Sequence, residues 1–345
     1  MGYMGRYIAE ENAEAYKEGR ITYKELIRRL TLLTGSLVAA VTLAVTMGCT
    51  SDEAATPTSA PTATSAPAPT STTAPTLVPT ATPAPTAAAT RPPAPTTAAT
   101  AAATPGGVTV RPDDPAIEAG PVTFKNGDVT LMGYLARPRA AGSHPAVMVI
   151  HENRGMTDHF PDVARRFAKE GYVALALDLV SREGGTANVT DPARIQAALG
   201  NANTARLVED MNGGVKYLQS LAYVRADRVG AMGFCFGGGM VWLLCARNPD
   251  IKAAAPFYGS GLPIGEVANI RAAVLGVYGG TDTRINSSIP ALEAGLKESN
   301  KTYKMNVYQG AGHAFFNDTV GSYNPTAAAA AWRDTLDWFR QYLRS

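Results

Sequence analysis

For residues 106–345 the sequence predicts an α/β fold, a mostly parallel sheet with helices on both faces. Three observations carry that reading. Short runs of Val, Ala, Ile and Leu recur through this region and are separated by stretches of helical spacing. The runs are apolar throughout rather than alternating, as strands covered on both faces are. The rest of the chain cannot build a second core, because 12 of its 24 prolines lie between Pro57 and Pro105. A single domain therefore accounts for the 345 residues better than two.

From the N-terminus, residues 1–29 are charged and polar with scattered apolar positions. Arg28-Arg29 then precedes an uncharged run, LTLLTGSLVAAVTLAVTM, from Leu30 to Met47. Basic residues, an apolar stretch and then small residues form the layout of a signal sequence. Gly48-Cys49 ends the run and resembles a lipobox, with Cys49 as the lipidation site, although Thr46 and Met47 depart from that pattern. The Arg pair loosely resembles a twin-arginine signal. An uncleaved membrane anchor and a buried helix are the other readings. The first two place residues 1–50 as a cytoplasmic extension plus signal or anchor. The bulk of the chain then lies outside a bacterial cytoplasmic membrane, tethered to it.

Residues 51–105 read as a disordered linker. From Ala54 to Pro105 only Leu77, Val78 and Arg91 are not Ala, Pro, Ser or Thr, which leaves nothing to bury. Beyond it, Val122–Lys125 and Thr130–Arg137 read as a hairpin around Asn126-Gly127-Asp128. Buried strands are expected at Ala146–His151 and Val173–Asp178, and further strands at Val229–Phe234, Ala253–Tyr258, Ala273–Tyr278 and Tyr303–Tyr308. Helices are expected at Phe160–Glu170, Asn203–Leu221, Gly239–Arg247, Ile289–Ser299 and Ala327–Leu343.

Chemistry concentrates at three strand ends. Gly233-Phe234-Cys235-Phe236-Gly237-Gly238 follows a strand and opens a helix, the setting of a nucleophile elbow with Cys in the Ser position. Glycines allow the sharp turn and the close packing of strand on helix. The helix start favours a thiolate and an oxyanion. A cysteine in a Gly-rich turn can also be a buried structural residue, so its partners matter. Asp282 follows the strand AVLGVY, and His313 follows the strand YKMNVY. Nucleophile, acid and base thus fall in the chain order of an α/β-hydrolase, each on a loop at a strand's carboxyl end. His144, His151 and His159 all precede the cysteine, so only His313 fits. A second signal is His151-Glu152-Asn153-Arg154-Gly155, where the loop after a central strand supplies an oxyanion donor. The backbone N–H groups of Phe236 and Asn153 are the candidate pair.

These residues resemble the dienelactone hydrolase (carboxymethylenebutenolidase) family over roughly residues 120–343. The resemblance rests on His151-Glu152 with Gly155, GFCFGGG at 233–239, FYG at 257–259, GGTD at 279–282 and GHAFFND at 312–318. It implies the triad Cys235, Asp282 and His313, with Glu152 holding the resting thiol. It also implies an ester or lactone substrate, an acyl-cysteine intermediate and no cofactor. Family members bind the substrate carboxylate through two arginines. One such position is Asn317 here, and Arg194 is an unanchored match to the other; Tyr258 is a further candidate contact. A weaker neutral contact in place of a bidentate arginine puts dienelactone specificity in doubt. A carboxylesterase or thioesterase for larger acyl groups, and a surface binding protein on the same fold, are the alternatives.

The net charge of +2 and the lack of a basic face exclude a nucleic-acid footprint. No spacing of His, Cys and Asp along the chain has the look of a metal site. Three cysteines are too few for a disulfide framework, and Cys245 reads as a small core residue. Oligomeric state is left open.

Overall fold

The computed structural model describes residues 1–50 and 109–344, so the Pro-rich linker lies outside the described residues. Eight strands form one sheet in the order β1-β2-β4-β3-β5-β6-β7-β8. They are β1 (Ile117–Asn126), β2 (Val129–Pro138), β3 (His144–Ile150), β4 (Val173–Asp178), β5 (Val224–Phe234), β6 (Ile251–Phe257), β7 (Ala273–Gly279) and β8 (Tyr303–Tyr308). β2 runs antiparallel to β1 and to β4, and every other pairing is parallel. The hairpin joins Asn126 to Val129 across Gly127-Asp128, with Gly127 at φ 60°. β4 and β7 are buried at every position, as strands covered on both faces must be.

The helices are α1 (Tyr3–Lys17), α2 (Tyr23–Thr34), α3 (Leu37–Thr46), α4 (His159–Lys169), α5 (Pro192–Asn201), α6 (Thr204–Ser220), α7 (Phe236–Arg247), α8 (Thr283–Asn286), α9 (Ile289–Glu298) and α10 (Pro325–Phe339). Their starts follow from side-chain caps: Asn203 accepts from the N–H of Ala205 before α6, and Asn324 from that of Ala327 before α10. α7 is buried from Phe236 to Ala246. Its first turn lies so close to β3 that a Cβ on Gly237 would sit 2.5 Å from the carbonyl oxygens of Ile150 and His151. That contact sets the cysteine loop beside the 151–155 loop. The hydrolase region thus has the expected architecture, and most element ends fall within a few residues of the expected ones.

The N-terminal region differs from expectation. Residues 1–50 do not stand apart; α1 to α3 belong to the same compact unit as the hydrolase region. The run Leu30–Met47 is not one helix. Gly35 adopts φ 72° and closes α2, Ser36 caps α3, and the two axes meet at 117°. Among the described residues no single helix is long and apolar enough to cross a membrane, while the bent α2–α3 pair passes by length and composition. α1 is amphipathic and buries Met4, Tyr7, Ile8, Ala15 and Tyr16. It packs on α5 so closely that a Cβ on Gly5 would lie 2.7 Å from the Gly200 carbonyl oxygen. Arg28 pairs with Glu25 and with Asp191 ahead of α5. On α3, Leu37, Val38 and Val45 stay exposed, whereas Cys49 is fully buried.

Candidate active site

The chemistry collects at the carboxyl edge of the parallel strands, where ligands meet such sheets. Cys235 follows β5 and sits at φ 56°, ψ −117°, a conformation that a side chain enters only when its surroundings impose it. Those surroundings are identifiable. The Cys235 N–H donates to the Phe257 carbonyl (3.0 Å). A Cβ on Gly233 would lie 2.3 Å from the Gly237 oxygen, so strand and helix can meet at this angle only with glycine there. The turn puts the thiol at the start of α7, with the Phe236 N–H favouring its thiolate form.

Asp282 ends the turn after β7, and its Oδ1 accepts from the Ile285 N–H (3.3 Å). Its Oδ2 takes the Nδ1–H of His313 at 2.6 Å. Burial works against charging His313, but the hydrogen bond and charge of Asp282 outweigh it and raise the imidazole pKa. The other ring nitrogen, Nε2, has no hydrogen-bond partner among the described residues. Cys235 Sγ and a His313 ring nitrogen lie within 4.8 Å of each other. The structure therefore brings the three sequence-predicted residues together.

The loop after β3 is held by His151. Its Nε2 accepts from the Leu179 N–H (3.0 Å), so the ring proton is on Nδ1 and goes to the Glu152 carbonyl (2.6 Å). Asn153 is buried next to the elbow. Glu152 is buried too, and burial raises its carboxyl pKa. Its partners are Tyr258 Oη (3.3 Å) and Asn317 Nδ2 (3.1 Å). Tyr258 is fully buried at φ 36°, its ring edge-on to His313 at 5.1 Å.

Three expectations are corrected. The Cys235 thiol donates to Glu11, at 3.4 and 3.5 Å from its two oxygens, and not to Glu152, whose oxygens are taken by Tyr258 and Asn317. Asn317 is 2% exposed and spends its other atom, Oδ1, on the N–H and hydroxyl of Thr319, so it does not face a substrate. Arg194 is exposed on α5 and lines a separate surface cleft with Glu183 and Asp191.

Cys235 and His313 open on a cavity of about 520 Å³, lined as well by Glu11, Glu14, Glu152 and Arg154. Burial, then the Glu11 and Glu152 charges, raise the Cys235 thiol pKa well above its ordinary value, with Tyr7 and the Phe236 N–H opposing. Glu11, Cys235 and His313 are also the one group among the described residues with metal-ligand spacing, a tertiary cluster that no linear spacing announces. Glu11 and Tyr7 went unseen in the sequence. The available signal was the 3.6-residue spacing of Met4, Tyr7 or Ile8, Glu11 and Ala15, which marks an amphipathic helix with a face to cover. Cys245 is buried, its thiol raised to about 12 by burial, and unlike Cys235 it does not line the cavity beside His313.

The dienelactone hydrolase family model matches residues 131–343. A Methylorubrum extorquens protein named "Putative carboxymethylenebutenolidase" is 34% identical over 246 residues, covering 68% of this chain and 84% of its own. A Klebsiella pneumoniae crystal structure named "Putative Dienelactone Hydrolase" aligns at TM-score 0.62 and 32% identity, over 66% of this chain and 100% of that one. A metagenomic dienelactone hydrolase-like promiscuous phosphotriesterase aligns at TM-score 0.60 and 26% identity, over 66% and 99%. With its α/β-hydrolase fold and these relatives, the chain belongs to the dienelactone hydrolase family and is an ester or lactone hydrolase.

Proposed function

We propose that the chain hydrolyses small neutral carboxylic esters or lactones through an acyl-cysteine at Cys235. The observation that carries this is the Asp282–His313 bond of 2.6 Å beside a thiol held on a strained elbow. His313 Nε2 takes the thiol proton as Sγ attacks the carbonyl carbon. The N–H groups of Phe236 and Asn153 receive the oxyanion. Collapse expels the alcohol, which leaves with the proton from His313. Water then loses a proton to His313 and attacks the thioester, and Cys235 recovers that proton as the acid departs. Asp282 fixes the imidazole tautomer and stabilises its cation.

The preference for a neutral substrate follows from charge. The cavity is lined by the carboxyl groups of Glu11, Glu14, Glu18 and Glu152 against the guanidinium groups of Arg20 and Arg154. A second carboxylate would meet more carboxyl than guanidinium groups there: Arg284 nearby is already paired with Glu14, and Asn317 is turned to Glu152. For the full chain, kcat/KM for a short p-nitrophenyl ester is expected to exceed that for dienelactone by roughly tenfold or more, about 1.4 kcal/mol of discrimination. A higher value for dienelactone contradicts this substrate assignment.

We also propose, as an alternative state of residues 1–50, export and tethering at the outer face of a bacterial membrane, which Arg28-Arg29 before the Leu30–Met47 run supports, as do the exposed apolar side chains of α3. Cleavage ahead of a lipidated Cys49 removes α1, and an anchor leaves α1 across the membrane from the hydrolase region, so this state excludes the docked α1. Palmitate labelling that vanishes in Cys49→Ala is the outcome that lipidation predicts. An unlabelled chain that keeps Met1 and fractionates away from membranes overturns it and leaves the docked arrangement.

A further inference from the structure

We propose that helix α1 is a working part of the active site, with Glu11 and Tyr7 acting as positioning residues that set the resting state of the Cys235 thiol. The inference rests on the reading of Cys235 as nucleophile for its functional meaning, though not for its test. Two side chains one helical turn apart reach the same sulfur. The thiol donates to Glu11, 3.4 Å from Oε1, and Tyr7 Oη donates to Sγ at 3.4 Å. Residues four apart on a helix share a face, so a single docked helix delivers both.

The docking is specific to the reacting end of the sheet. Arg284, two residues beyond Asp282 on α8, bonds Glu14 at 2.7 Å and lies over the Tyr7 ring at 5.1 Å. Tyr3 Oη reaches Ser260 Oγ (3.0 Å) and the Gly261 carbonyl in the loop after β6. The anchors thus tie α1 to the loops that carry Asp282 and Tyr258.

The two contacts push the sulfur in opposite directions. A carboxylate beside a buried sulfur disfavours the thiolate, while a hydroxyl donor favours it. The other charged or titratable groups around the thiol are Glu152 from the loop after β3, Tyr258 after β6, His313 after β8 and Arg284 on α8. Of these, Glu152 is tied up by Tyr258 and Asn317. Glu11 therefore supplies the direct contact with the thiol that the family resemblance assigns to Glu152, whose charge adds to the restraint from a distance. A thiol held neutral and covered by α1 is also poorly reactive toward oxidants and electrophiles.

The test is the pH dependence of iodoacetamide alkylation in the full chain, read at the Cys235 peptide by mass spectrometry so that Cys49 and Cys245 do not contribute. Glu11→Gln keeps shape and removes the charge. Alkylation of Cys235 at neutral pH is expected to rise roughly tenfold, as for a thiol titrating about one pH unit lower. Tyr7→Phe removes only the donor, and alkylation is expected to fall. Opposite signs from neighbouring positions cannot come from a loosened helix, which raises both rates. A rise in both variants, or no change in either, overturns the proposal. Because alkylation needs no turnover, the outcome is independent of whether Cys235 proves to be the nucleophile.

Discussion

Cys235→Ala is expected to lower kcat for ester hydrolysis by roughly four to six orders of magnitude, leaving the residual rate that binding and oxyanion donors supply. No other group near the carbonyl's reach substitutes for it. Cys245 is buried within α7 and does not line the cavity, and Cys49 is buried against α1. The variant should fold, because alanine takes the same φ 56° position with no larger side chain and the glycine contacts of the elbow are untouched. Matching urea midpoints for parent and variant check that the loss is chemical. Turnover within tenfold of the parent places the nucleophile elsewhere.

Asp282→Asn is expected to cost about two to four orders of magnitude in kcat while leaving the fold in place. The amide would donate to His313 Nδ1 where the carboxylate accepts, which forces the proton onto Nε2. That nitrogen then faces Cys235 as a donor and cannot take the thiol proton. The same substitution has a pH signature in stability. Asp282 raises the folded His313 pKa over the opposition of burial. A raised folded value stabilises the protein fully below the unfolded histidine pKa of roughly 6.5. That contribution fades as pH rises through the raised value. The loss of unfolding free energy in Asp282→Asn should therefore be larger at acid than at alkaline pH. Equal losses at both ends contradict the assigned coupling.

The sheet and the triad were legible in the sequence because each rests on local pattern. Short runs such as VALALD and AVLGVY, bounded by turn residues, read as doubly covered strands. Cys235 stands directly after a strand, and Asp282 and His313 stand four and five residues past the runs AVLGVY and YKMNVY. Glycine punctuation marked the elbow, since Gly233 and Gly237 leave no room for a Cβ. What was not legible depends on contacts between distant segments. Glu11 meets Cys235 from the far side of the Pro-rich linker, and nothing in the spacing of either residue announces the other. The Leu30–Met47 run looks continuous by hydropathy, yet Gly35 and Ser36 end one helix and start another. Asn317 was read against an arginine it replaces; its real partner, Glu152, is brought to it by the loop after β3. Arg194 had no motif to anchor it and faces another cleft.

The central claim is the covalent one, and trapping tests it most directly. The full chain is mixed with a slowly deacylated p-nitrophenyl ester, quenched in acid within the first turnover and digested for mass spectrometry. The account predicts the acyl mass on the peptide that contains Cys235, absent from Cys235→Ala and accumulating in Asp282→Asn if deacylation is slowed more than acylation. Burst release of p-nitrophenol with the acyl group on another residue, or steady turnover with no acylated peptide under conditions where deacylation is rate-limiting, would contradict it.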